Sequence, residues 1–182
     1  QLGKALFWDE QLSSTRTVAC GTCHQPVAGG SDSRSTPTTL HPGPNGIFGN
    51  GDDIVGSPGV IATDGEGLQR LDDFFGMAAQ VTGRYSPSAI NAAYPPLLFW
   101  DGRATGTFTD PVSGEVVLAA GAALESQAAG PPTSSVEMAH AGRDWSAVAS
   151  RLNHAVPLTL SPSVPTDLST WIAGRDYAEL FE

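Results

Sequence analysis

The 182-residue sequence is short of charge, shorter still of cations, holds only two cysteines and contains no long apolar run. Each shortage excludes something. Charged side chains make up 15% of the chain, against roughly 25% in ordinary soluble domains, so its loops must draw their polarity from Ser, Thr, Asn and Gly. Nine Lys and Arg against nineteen Asp and Glu leave a formal charge of −10. A chain with so few cations cannot neutralise phosphates, which makes nucleic acid and anionic lipid surfaces poor partners. No segment approaches the roughly 18 apolar residues of a membrane span, and no charged-then-apolar leader opens the chain. A mature or trimmed soluble form is therefore expected.

What is plentiful is turn chemistry. Twenty-one glycines and fourteen prolines make up close to a fifth of the residues, which predicts a loop-rich fold. Apolar residues at 40% and a mean hydropathy of −0.09 are those of a globular protein, and the length suits one domain over residues 1–182.

The two cysteines stand in Cys20-Gly21-Thr22-Cys23-His24. This spacing serves a redox dithiol, half of a zinc site, or a c-type haem attachment. The dithiol expects a βαβ setting. Zinc needs two further ligands at similar spacing, yet no second CxxC is present, and His41, His140 and His154 are scattered singly. A His directly after the second Cys suits haem: two thioethers fix the porphyrin edge and the next side chain reaches the iron. One covalent haem c is therefore expected, and with it a location outside the cytoplasm, periplasmic or secreted.

Along the chain, Leu2, Ala5, Leu6, Phe7 and Leu12 form a helical stripe. After His24 the periodicity lapses for about sixty residues, a length of loop that is usually functional. Within it, Gly49-Asn50-Gly51-Asp52-Asp53 clusters oxygen ligands suited to Ca²⁺ but lacks the terminal Glu of the full loop pattern; plain turn formation competes. Helices are expected at Leu68–Met77, at Ala89–Ala93, over Ala119–Ala129, from Ser135 through Glu137 and Met138, and over Asp144–Leu152, Thr166–Ala173 and Tyr177–Phe181. A small hairpin is expected over Val112–Leu118. The fold class expected is mostly α, a cytochrome c-like haem domain with long loops and insertions. Met77, Met138, Trp8, Trp145 and Trp171 are read as packing residues.

Several segments accompany the haem motif. They are Leu2-Gly3-Lys4-Ala5-Leu6-Phe7-Trp8-Asp9, Phe99-Trp100-Asp101-Gly102-Arg103-Ala104, Leu124-Glu125-Ser126-Gln127-Ala128 and Glu137-Met138. In this order they resemble the N-terminal, peroxidatic domain of the bacterial di-haem cytochrome c peroxidase and MauG-like family. The resemblance runs from residue 2 to about 181, with insertions at 42–82 and 105–120.

The resemblance implies thioethers at Cys20 and Cys23 and His24 as proximal iron ligand. It implies Gln127 and Glu137 as the polar pair on the distal side, Trp100 as a tryptophan between two haems, and His41 as a distal histidine that must leave the iron. His41 is equally readable as a loop residue. Arg103 suits a haem propionate, while a salt bridge with Asp101 competes. Members of this family continue past a segment like Tyr177–Phe181 into a second haem domain, so a second haem domain or subunit is expected as partner. Hydrogen peroxide is the expected substrate, and a small cytochrome or copper protein the donor. Two other functions stay open: MauG-like oxidation of a protein or organic substrate, and a non-enzymatic mono-haem electron carrier with both iron faces capped.

Overall fold

A computed structural model describes all residues from 1 to 182. The N-terminal stripe folds as α1 (Leu2–Trp8), which buries Ala5. It ends at Asp9, whose carboxylate accepts the Gln11 N–H and so caps a separate 3-10 turn, Glu10–Leu12. A single helical turn follows as α2 (Cys20–Cys23). The next hundred or so residues hold three two-stranded antiparallel ribbons: β1 (Leu40–His41) with β2 (Ile54–Val55), β3 (Pro58–Ile61) with β4 (Ala79–Val81), and β5 (Phe108–Thr109) with β6 (Val116–Leu118). The C-terminal part is helical: α3 (Ala123–Ala128), α4 (Trp145–Leu152), α5 (Thr166–Ile172) and α6 (Tyr177–Phe181). No helix is long and apolar enough to cross a membrane.

The expectation of a mostly α protein is overturned. Helix accounts for 25% of residues and strand for 13%. The helices expected at Leu68–Met77, Ala89–Ala93 and from Ser135 are turns. In the first, short carboxylates outbid helical acceptors for backbone N–H groups. Asp64 Oδ1 accepts from Glu66 and Leu68, and Asp72 Oδ1 accepts from Phe74 and Phe75. After Ser135, both Met138 and Ala139 donate to Ser134 O, which closes one turn and no more. The strands of the 42–82 insertion are two to four residues long, too short to register as alternation. Of the hairpin expected over Val112–Leu118, that range holds the turn at Gly114 (φ 75°) and β6, while its first strand, β5, begins earlier, at Phe108.

Two apolar clusters carry the packing. The larger joins Leu12, Val18, Val60, Met138, Val148, Leu152 and Tyr177, with Cys23 and Trp145 at its margin; the smaller joins Ala5, Leu158, Leu168 and Ile172, with Trp171 beside it. Met138 thus packs in the core, whereas Met77 and Trp8 are half-exposed. Buried polar groups tie distant segments together. Asp9 accepts from Leu158 N at 2.8 Å and from the Tyr177 hydroxyl at 2.7 Å. Arg143 donates to Leu12 O and Pro132 O; burial, then the neighbouring Arg151, pulls its guanidinium down to about 10.

Candidate active site

The haem motif is braced from both sides. Helix α2 places Cys20 and Cys23 three residues apart, hence on one face, and Thr22 Oγ1 accepts the Ala19 N–H at 2.9 Å. The Trp8 ring lies so close behind the turn that a Cβ on Gly21 would meet its Cε3 at 2.2 Å. His24 follows as the C-cap residue, and its Nδ1 lies 3.1 Å from Gly30 O. A carbonyl oxygen can only accept, so Nδ1 carries the proton and Nε2 keeps its lone pair. Gly30 O also accepts from Ala89 N, and the Ser86 hydroxyl stands 3.3 Å from the same ring nitrogen.

Two free thiols one turn apart, followed by an imidazole whose Nε2 faces the Ser86 hydroxyl at 3.5 Å, form the donor set that covalent haem attachment requires. Burial pushes both thiols up, Cys23 to about 11. No three or more His, Cys, Asp or Glu side chains converge in the geometry a structural zinc site needs.

Beside Cys23 stands an ion pair that sequence reasoning missed. Arg34 Nη2 donates to Cys23 Sγ at 3.2 Å, to Asp32 Oδ2 at 2.7 Å and to Pro58 O at 2.8 Å. Asp32 is fully buried. Burial alone would raise its carboxyl, but the Arg34 hydrogen bonds outweigh that and hold it below the usual range. The Asp-x-Arg spacing was the available signal; the contact with Cys23 depends on a turn that spacing does not reveal.

The structure brings three of the remaining expected residues around one cavity of about 300 Å³: Arg103, Gln127 and Glu137, with Phe99 and Ser134 beside them. Gln127 comes from α3 and Glu137 from the turn after the 3-10 segment Pro131–Thr133; the Pro-Pro break folds the second back toward the first. Trp145 Nε1 donates to Ala129 O at 3.0 Å and fixes the end of α3. Burial pushes Glu137 above the ordinary carboxylate value, while Ser134, His24 and Arg103 pull it partly back.

Arg103 pairs with Asp101, as one of its two expected roles requires, and it stacks on the Phe99 ring 3.5 Å from the centroid. Asp101 also takes Arg84 at 2.7 Å, and Arg84, then Arg103, holds that carboxyl low. Phe99 has a left-handed backbone (φ 66°), a strained choice for a bulky side chain that fixes its ring beside the cavity. Trp100, next in sequence, turns outward and is 87% exposed, with the Arg84 guanidinium 5.2 Å from its ring.

His41 is not among the residues around this cavity. It sits on β1, packs at 6.1 Å from the Phe75 ring, and its Nδ1 accepts from Gly43 N at 3.1 Å. A neutral imidazole has one lone pair, and here that bond uses it. In the acidic turn, Asp52 accepts the backbone N–H and the side-chain amide of Asn45, and Asp53 Oδ2 accepts Gly49 N while its Oδ1 is buried without a partner.

Residues 1–159 match the family described as di-haem cytochrome c peroxidase. Among curated relatives, the cytochrome c551 peroxidase of Pseudomonas aeruginosa is 29% identical over 138 residues, which is 76% of this chain and 24% of that protein. The methylamine utilization protein MauG of Methylophilus methylotrophus is 29% identical over 104 residues, 57% of this chain and 20% of its own. The cytochrome c peroxidase Ccp of Escherichia coli is 26% identical over 151 residues, 83% of this chain and 20% of its own. The chain thus spans between a fifth and a quarter of the length of these relatives.

Proposed function

The chain belongs to the di-haem cytochrome c peroxidase family, and on that footing we propose that it is a haem-bearing, hydrogen-peroxide-reducing part of such an oxidoreductase. The observation that carries this reading is the convergence of Gln127 and Glu137 on one cavity, where burial raises the Glu137 carboxyl above its ordinary value. Cys20 and Cys23 would hold haem c through thioethers, with His24 Nε2 on its iron. Bound there, haem supplies the redox centre at which a peroxide O–O bond is reduced.

The chain's own residues do the rest. The Nδ1–H bond to Gly30 O holds His24 in the tautomer that offers Nε2. A Glu137 carboxylate oxygen takes the proton from one peroxide oxygen and returns it to the other, which departs as water; a carboxyl with a raised pKa suits both transfers. The Gln127 amide donates a hydrogen bond to peroxide oxygen without competing as an acid. Arg103, steadied by Phe99 and Asp101, presents positive charge at the cavity wall.

The oxygen left behind departs as a second water once two electrons and two solvent protons have been taken up per peroxide. A second haem domain or subunit, fed by a small cytochrome or copper protein, is the source this reading requires, and Trp100, exposed and next in sequence to the cavity residue Phe99, would carry electrons from it. Thioether attachment places the protein in a periplasm or outside the cell. Glu137→Gln should lower turnover by about 10²–10⁴ while leaving the haem spectrum intact; unchanged turnover would remove Glu137 from the chemistry. Sustained turnover of the 182-residue chain alone with a small cytochrome donor would show that no second haem is needed.

A further inference from the structure

The turn that carries Glu137 is held from outside by the β3–β4 ribbon. Pro58 pairs with Val81 and Ile61 with Ala79, so β3 has one residue more than the stretch of β4 opposite. A bulge of this kind turns peptide groups out of the ladder and re-aims them. Here they are those of Val60. Its N–H donates to Val136 O at 3.0 Å, and its carbonyl accepts from Gln80 Nε2 at 3.2 Å. The same Gln80 amide donates to Ser135 O at 2.8 Å, and Gln80 is only 6% exposed.

One buried side-chain amide therefore joins the bulge to the backbone two residues before Glu137. Gly59 permits the approach: a Cβ there would stand 1.9 Å from Val136 O and 3.1 Å from Glu137 Cα. Neither Gln80 nor Gly59 lines the cavity, and both belong to the insertion, so nothing in the motif around Glu137 points to them.

We propose that Gln80, acting through Ser135 and Val136, is a positioning residue that fixes where the Glu137 carboxyl stands in the cavity. The inference rests on the acid–base role given to Glu137 above. Gln80→Met keeps the length of the side chain and removes both donors. In the haem-loaded protein, Val60 amide exchange should quicken about tenfold or more while the Val148 and Leu152 amides keep their protection. Turnover with peroxide should fall about 10- to 100-fold, the cost of a small misplacement at a reacting group.

That loss should vanish when Gln80→Met is made in a Glu137→Gln background. A merely structural contribution would subtract equally in both backgrounds, so equal losses overturn the proposal. Unchanged Val60 exchange overturns it as well. Should Gln80→Met fail to take up haem, Gly59→Ala pushes on the next carbonyl, Val136 O, and must show the same dependence on Glu137. If Glu137→Gln alone leaves turnover intact, the catalytic reading fails, and Val60 exchange still decides whether Gln80 holds this segment.

Discussion

Replacing Tyr177 with Phe removes one hydroxyl from the inside of the protein. That hydroxyl donates to Asp9 Oδ2 at 2.7 Å, and both residues are 1% exposed. Asp9 keeps Gln11 N and Leu158 N as donors, so the carboxylate is not stranded. What disappears is one short, buried hydrogen bond to a charged group, about 1.5–3 kcal/mol. In a chain of this length the loss corresponds to a fall in Tm of roughly 3–12 °C. Burial, then the neighbouring Asp9, also holds the Tyr177 proton well above the ordinary tyrosine range. Above about pH 10 the unfolded chain releases a proton that the folded chain retains. This component of stability is therefore complete below the unfolded pKa and declines as pH rises, by up to about 1.4 kcal/mol per pH unit; the Phe variant lacks it. Urea unfolding of parent and variant should show a gap at neutral pH that narrows between about pH 10 and 11.5. A neutral-pH gap below about 0.5 kcal/mol, or a gap that stays constant with pH, would refute the reasoning.

Gly21→Ala sets a methyl group against Trp8 and should cost about 1–3 kcal/mol while lowering covalent haem content read by intact mass; Trp8→Ala in the same chain should restore that content. Trp100→Ala should leave stability within about 0.5 kcal/mol, because the ring is 87% exposed, yet slow electron delivery in stopped-flow mixing with a reduced donor. His41→Ala should leave the resting spin state of the haem-loaded protein as it is, since the imidazole lone pair is taken by Gly43 N; an altered spin state would show the ring reaching the iron.

Features set by covalent or near-neighbour chemistry were legible in the sequence. The haem motif is five consecutive residues, and α4 announces itself through Asp144, whose carboxylate accepts from Ala147 N; Asp176 caps α6 in the same way, accepting from Glu179 N. Gln127 and Glu137 were legible only through the family pattern; nothing local distinguishes Glu137 from any other acidic residue on a turn. The illusory helix at Leu68–Met77 has suitable apolar spacing, but Asp64, Asp72 and Gly76 close turns there. Asp9, Asp32 with Arg34, and Gln80 stayed hidden for a different reason. Each gains its meaning from a partner brought near by tertiary folding, such as Tyr177 for Asp9 or Ser135 for Gln80.

The wall behind the haem turn has a consequence for timing. Trp8 backs Gly21, but the neighbouring Asp9 is held by Leu158 and by Tyr177, the latter 168 positions away. A ribosome delivers residue 20 long before residue 177. During that interval the Asp9 carboxylate has only its near neighbour Gln11 to bond, so the junction between α1 and the Glu10–Leu12 turn is half-made. Docking of α6 supplies the missing hydroxyl from Tyr177. A contact begun within the first ten residues is thus completed by the C-terminal helix, and damage to α6 is felt at the opposite end of the sequence.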